Sequence, residues 1–327
     1  METTTATGAA FAAHDAAFLE VVGPAPRLER VIATDAHEGP VYAPGEDALY
    51  FTTVPRPGAH GPVVDIRRLA LDGMRSPLEP ERLATVRADA NAANGMTLAD
   101  DGRLLVCEQG STSRLAGLTL VDRETGATEM LVAGYGGRPL SSPNDVVVAG
   151  DGGVWFTDPS YGHLQGFRPP PALADAVYRY DPVSGEIAVV ADGFDKPNGL
   201  ASSPDERTLY VGDSGAIHAP GDYDPGRPRG LVAFDVVDGR RLARGRPFGA
   251  PVPGFPDGMA VDAAGHVYVS CDRGVQVLDA GGDLIGEIVV PGGAVNFTFG
   301  GPGRNVLLIT ADDAIWAASL NATGPQP

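Results

Sequence analysis

The sequence predicts an all-β protein, a six-bladed β-propeller of four-stranded antiparallel blades around a central channel. Two observations carry that prediction. A motif recurs six times along the 327 residues, and 44 glycines and 29 prolines punctuate the chain. Together they exceed a fifth of it, against a usual share of about 12%. Breakers at this density leave room for strands but not for a helical bundle or coiled coil. A hydrophobic content of 43% excludes a disordered chain.

The copies read EGPVYAPGEDALYFTT from Glu38, NGMTLADDGRLLVCE from Asn94, NDVVVAGDGGVWFTD from Asn144, NGLASSPDERTLYVGD from Asn198, DGMAVDAAGHVYVSCD from Asp257 and, degenerate, NFTFGGPGRNVLLITADD from Asn296. Each opens on a polar residue, runs through apolar-leaning residues to a tight turn and returns in a β-branched and aromatic run. Asp101, Asp151 and Asp205 stand seven residues past their opening asparagines, and Gly102, Gly152 and Gly265 share the next position. Asp-Gly between alternating apolar runs signals a β-hairpin.

The intervening stretches add two more strands in most copies: GLTLVDRETG and ATEMLVAG, AVYRYDPVSG and EIAVVADG, GLVAFDVVDG and RRLARGRPFG, GVQVLDAGG and DLIGEIVVPG. Four short strands every ~50 residues, six times, make a propeller. LERVIAT, before Glu38, is expected to complete the last blade and close the ring. The expected organisation is a tail or short helix over 1–20, one propeller domain over 21–320 and a tail over 321–327. Segments 55–62, 163–176 and 218–230 read as long loops within blades.

Composition excludes several partners. Twenty-four basic against 42 acidic residues give a net charge of −18, which repels nucleic acid and anionic membranes. No apolar run approaches the ~20 residues of a membrane span. Cys107 and Cys271 sit in strand-like runs without a Cys/His cluster, as two buried, reduced thiols of a cytoplasmic protein would. The N-terminus lacks the basic region of a signal peptide. GxGxxG and P-loop patterns are absent, so no nucleotide cofactor is expected. Ser141 and Ser142 precede Pro143 rather than forming a nucleophile elbow.

In a propeller the first strand of each blade lines the channel. Glu38, Asn94, Asn144, Asn198, Asp257 and Asn296 should therefore gather around one channel mouth. Asn-Gly, Asn-Asp and Asp-Gly are also turn dipeptides, but the hairpin turns lie seven residues further on, and Glu38 has no turn preference. Two carboxylates and several carboxamides make an oxygen-only donor set and a metal-binding channel. Such a set suits a hard divalent cation, Ca²⁺ first, with Mg²⁺, Mn²⁺ or Zn²⁺ as substitutes.

The return strands end in Glu108, Asp158, Asp213 and Asp272. These should reach the same face, either orienting ligand amides and capping loops or, for Glu108 and Asp213, facing a substrate. His37, His163 and His218 are lone histidines in the sequence. His218 in GAIHAP, Tyr161 and Arg114 are loop candidates for the pocket.

Several of these motifs resemble the SMP-30/gluconolactonase family: EGPVY at 38–42, SPNDVVV at 142–148, FTDPSYG at 156–162, KPNGLASSPDERTLYVGDS at 196–214 and PDGMAVDAAGHVYVS at 256–270. The likeness spans about residues 30–316 and is closer to bacterial gluconolactonase-type members through LLVCEQG and FTDPSYG. It implies a six-bladed propeller, one divalent metal in the channel and hydrolysis of a lactone or ester. Carried over motif by motif, the family's metal ligands fall on Glu38, Asn144, Asn198 and Asp257. One departure is Ser142, which stands where some sugar-lactone members carry an arginine that contacts substrate hydroxyls.

The expected chemistry is metal-assisted attack of water on a polarised lactone carbonyl. Asp257 is expected to act as general base while ligating the metal; because a metal-bound carboxylate is a weak base, Asp213 or Glu108 is the alternative catalytic carboxylate. Asn94, Glu108, Tyr161 and His218 are expected around the substrate, a small lactone or ester bound by a monomer or weak homo-oligomer. The rival readings keep the fold and metal: a phosphotriesterase-like or strictosidine-synthase-like enzyme, or a non-catalytic, metal-stabilised binding propeller.

Overall fold

Each repeat reverses where its turn residues allow. Gly102 and Gly152 adopt φ of 83° and 78°, the left-handed region that glycine enters without steric cost. In the fourth copy, which has no glycine at the turn, Glu206 takes φ of 54°. In the computed structural model, which describes residues 10–73, 76–250 and 254–325, the hairpins form the inner halves of six four-stranded antiparallel sheets. These blades cover 41–87, 93–132, 146–192, 197–249 and 259–289, with the sixth built from 296–319 and an N-terminal strand.

Second strands run between neighbouring blades and are buried on both faces. Leu104–Glu108, Val154–Asp158 and Val267–Cys271 are wholly buried, whereas the outermost strand Thr128–Val132 is largely exposed. Leu105 and Cys107 of blade 2 pack with Val146, Phe156 and Tyr178 of blade 3. Each such apolar side chain contributes about 1.5–3 kcal/mol through burial. Cys107 and Cys271 are free and buried.

The N-terminal segment fastens the ring. Strand β1 (Phe11–Ala13) adds a fifth strand to blade 5, pairing Phe11 with Ile288. Helix α1 (Ala16–Val22) follows, capped by the Asp15 carboxylate, which accepts the Ala17 N–H at 2.8 Å. Strand β2 (Arg27–Ala33) then pairs antiparallel with Ala314–Ser319 as the outer strand of blade 6, in the register Arg27↔Ser319 to Ala33↔Ala314. LERVIAT thus closes the ring as expected. Val31 and Ile32 bury against Leu308 and Ile315. At the other end of the chain, the Asn321 and Ala322 N–H groups donate to the Val21 carbonyl, tying helix and C-terminal segment together.

Inner strands start at one face and second strands return to it. That face carries the long loops 53–65, 159–175 and 214–230, while blades 5 and 6 carry only the short turns 272–273 and 311–313. Loop 159–175 holds a short helix, Tyr161–Leu164. Among the described residues, no helix is long and apolar enough to cross a membrane.

Candidate active site

The opening residues of the repeats converge at this face because the innermost strands are bulged there. Pairing in blade 2 jumps from Ala93↔Glu108 to Met96↔Val106, and in blade 4 from Pro197↔Asp213 to Leu200↔Val211. The two residues skipped are Asn94-Gly95 and Asn198-Gly199. A bulge beside a site re-aims a side chain, so these dipeptides are bulges and not turns. The glycines serve a close approach between blades. A Cβ on Gly39 would overlap the Asn94 carbonyl oxygen, and one on Gly199 that of Asp257.

Hydroxyls at the ends of the return strands join one blade to the next. Thr157 Oγ1 donates to the Asn198 carbonyl at 2.8 Å, Ser270 Oγ to the Val295 carbonyl at 2.5 Å and Thr310 Oγ1 to the His37 carbonyl at 2.6 Å. Sequence reading missed these three. Their local signal is a Ser or Thr next to the last residue of the return strand or closing it.

Within the ring, Glu38 is 5% exposed, Asn144 6%, Asn198 5% and Asn296 7%, whereas Asp257 is only half-buried. Glu38 Oε2 accepts the Asn296 amide at 2.7 Å and the Gly39 N–H at 3.1 Å. Burial pushes Glu38 well up, and the nearby Asp257 and Asp145 charges push it further. Burial likewise raises Asp257, opposed by His37 and by the Asn198 amide. Asn94 Oδ1 is buried with no partner.

Asp145 joins this hub, and sequence reading did not single it out. Its carboxylate accepts the Val146 N–H at 2.9 Å and, in the next blade, the Leu200 N–H at 3.2 Å. Burial pushes it up to about 7. With Gly39 and Asn296 it caps a channel cavity of about 650 Å³ lined by Val41, Met96, Leu98 and Phe297. His37, solitary in sequence, is paired: its Nδ1 lies 2.7 Å from Asp312 Oδ1.

Three of the four acids at the ends of the return strands hold the approaches to the ring, while Asp272 lies past its strand in the turn that follows. Asp158 accepts the Ser141 and Ser142 N–H groups at 2.8–3.0 Å. Asp213 accepts those of Asp195 at 3.0 Å, Lys196 at 2.8 Å and Gly215 at 3.2 Å. Glu108 pairs with Arg87 and takes the Asn91 amide at 2.6 Å. Each braces the chain just ahead of a ring asparagine, Asp213 through the backbone N–H groups it accepts and Glu108 through the Arg87 and Asn91 side chains.

His218 Nε2 lies 3.1 Å from Asp195 Oδ1, and Asp195 and Asp175 both hold the buried Lys196 ammonium, at 2.9 and 2.8 Å. This cluster ties loops 159–175 and 214–230 to the strand bearing Asn198. Tyr161 is buried beside Asn198, Ser214 and Asp257. Arg114 is engaged with Asp89 at 2.6 Å. Ser142 is fully buried, donating to the Pro159 carbonyl at 2.7 Å and accepting the Gly162 N–H at 2.9 Å. It is a loop staple.

Three acids and several amides therefore share one hub, and the basic group that His37 supplies is the main one opposing Asp257. No group of three His, Cys, Asp or Glu side chains is set to hold a metal among the described residues. The ring's donors are instead two carboxylates completed by amides. The unpartnered Asn94 oxygen, buried Glu38 and half-buried Asp257 fit a hard cation that takes oxygen ligands.

Fold and ring define a six-bladed propeller with an acid-and-amide site at one channel mouth. The chain belongs to the SMP-30/gluconolactonase/LRE-like family, whose pattern it matches over residues 36–313. It is 28% identical over 344 residues to a gluconolactonase of Zymomonas mobilis, covering 96% of this chain and 91% of that one. To a lactonohydrolase of Aspergillus oryzae it is 29% identical over 308 residues, covering 88% and 69%. The solved structure of a gluconolactonase from Xanthomonas campestris superposes with a TM-score of 0.79 at 31% identity, covering 95% of this chain and 94% of that one.

Proposed function

We propose that this protein hydrolyses a small lactone, using a divalent cation, Ca²⁺ in first place, held by Glu38, Asn144, Asn198 and Asp257 with Asn94 alongside. The observation that carries the reading is the convergence of buried Glu38, half-buried Asp257 and the ring amides at one end of the channel. Relatives named for lactone hydrolysis support it. When bound, the cation would polarise the lactone carbonyl and stabilise the oxyanion that develops.

The chain's own residues supply the rest. Asp257 is the ring carboxylate that solvent reaches, and its raised proton affinity suits a carboxylate oxygen that accepts a proton from the attacking water. Glu38, pinned by Asn296, stays in place as charge builds. Asp213 acts by holding the Asp195–Lys196 backbone and so orients Asn198. Loops 159–175 and 214–230, clamped by Lys196, wall the mouth against water. With Ser142 buried, hydroxyl groups of a sugar lactone are recognised by other residues of these loops.

The test is hydrolysis of gluconolactone, γ-butyrolactone and an aryl ester, with and without EDTA and added Ca²⁺. At least one lactone should open faster than in buffer, with the rate lost in EDTA and restored by Ca²⁺. No turnover above buffer on any substrate sinks the lactonase reading. Full activity in EDTA sinks the cation's part in it.

A further inference from the structure

Arg168, in loop 159–175, is a half-buried cation that the scheme above does not use. Its guanidinium donates to four backbone carbonyls: Nη2 to Leu140 at 3.1 Å, Nε to Ser141 at 3.0 Å, and Nη1 to Ser111 at 3.0 Å and Arg114 at 2.9 Å. Burial pushes its proton affinity down, and the Asp158 charge opposes this. The seat is shaped for the side chain. A Cβ on Gly162 would overlap the Arg168 stem, and one on Gly110 would come within 2.9 Å of Nη1.

Two of those carbonyls belong to peptide groups whose N–H ends meet an acid. The Leu140 carbonyl and the Ser141 N–H form one peptide group, and the Ser141 carbonyl and the Ser142 N–H form the next. Arg168 takes both oxygens, while Asp158 accepts both N–H groups at 2.8–3.0 Å. Base and acid thus grip two consecutive peptide planes from opposite ends. Pro143 follows, fixing its own φ and restricting Ser142, so the setting of those planes passes to Asn144 with little slack. The grip needs a fork: Nε and Nη2 share one edge of a rigid plane, which an ammonium does not reproduce.

We propose that Arg168 is a positioning residue for Asn144: working against Asp158 across two peptide groups, it sets the strap that delivers Asn144 to the cation, and its Nη1 keys that strap to loop 109–116 of blade 2. This inference rests on the cation reading above. The Asn144 N–H is separately anchored on the Thr157 carbonyl at 2.9 Å, so loss of Arg168 should release the aim of Asn144 rather than its strand.

Calcium binding to the full chain, measured by calorimetry for wild type, Arg168→Lys and Arg168→Ala, with and without millimolar guanidinium chloride, tests it. Loss of a group that orients a metal ligand costs about ten- to a hundredfold in affinity, so both variants should bind Ca²⁺ at least about tenfold more weakly. Free guanidinium fits the seat emptied in Arg168→Ala and should return its affinity towards wild type. Arg168→Lys, whose seat stays filled, should remain weak. A staple without a positioning role would lower the thermal midpoint and leave Ca²⁺ affinity alone. Wild-type Ca²⁺ affinity in both variants therefore overturns the proposal while the cation reading stands. Weak binding by Arg168→Ala that guanidinium does not restore also overturns it, because the loss then lies in the packing of the loop. A wild-type chain that takes up no Ca²⁺ removes the cation reading and this inference together.

Discussion

Asn296 Nδ2 donates to Glu38 Oε2 at 2.7 Å, across a sequence separation of 258 residues. Asn296 Oδ1 accepts the Phe297 N–H at 2.7 Å, so the amide's nitrogen is held towards Glu38. The first strand of the last blade thereby orients the acid that opens the first blade, and the same contact serves ring closure and site.

Glu38→Gln keeps the size of that side chain but removes one of the two charges assigned to the cation. Charge count sets cation affinity, so Ca²⁺ binding should weaken by more than about tenfold in calorimetry. Stability in EDTA should hold or rise, because repulsion from Asp257 and Asp145 is relieved. Unchanged metal content removes Glu38 from the ligand set.

Gly199→Ala places a methyl group against the Asp257 carbonyl of the next blade. Backbone must shift to admit it, at about 1–3 kcal/mol or more. Gly45→Ala is the control, since nothing lies within 4 Å of a Cβ there, and it should stay within about 0.5 kcal/mol of wild type. Urea unfolding midpoints compare the two, and equal midpoints remove the steric account of the Asn-Gly bulge.

Ile32→Ala hollows the packing of the closing strand, where Ile32 is 4% exposed. The expected loss is about 2–5 kcal/mol. If β2 instead frayed independently of the ring, unfolding would show an early minor transition and the main midpoint would not move.

Asp158→Asn should alter the pH profile of stability. Burial raises Asp158 to about 7 from an ordinary 3.8, so the folded chain holds this proton more tightly than the unfolded chain. The contribution is complete below pH about 4 and is lost as pH rises towards about 7. In the variant, the fall in unfolding free energy across that window should be shallower than in wild type. Parallel curves would mean that Asp158 is ionised throughout.

The rhythm of the blades is readable from sequence because it is local. Asp101-Gly102 and Asp151-Gly152 announce their own turns, and the runs beside them carry the alternation of strands. Contacts across blades leave no such trace. Asn198-Gly199 reads equally as a turn or a ligand, since the Asp257 carbonyl that requires the glycine lies in the next repeat. Asp145 reads as half of a turn dipeptide until Leu200 is seen beside it. His37 looks solitary because Asp312 lies 275 residues away. Asp213 and Glu108 look free because a carboxylate that braces a loop and one that faces a substrate have the same flanking sequence.

Strand β2 leaves the ribosome ahead of the six inner hairpins, and its partner Ala314–Ser319 only after the last of them. Through the making of five blades it waits as an open edge, the kind of strand that recruits other chains. Arg27, Glu29 and Arg30 occupy exposed positions along it, and charges there discourage such pairing. The newborn chain thus carries a guarded latch whose sticky part is Leu28, Val31 and Ile32, and the ring can lock only once residue 319 has emerged.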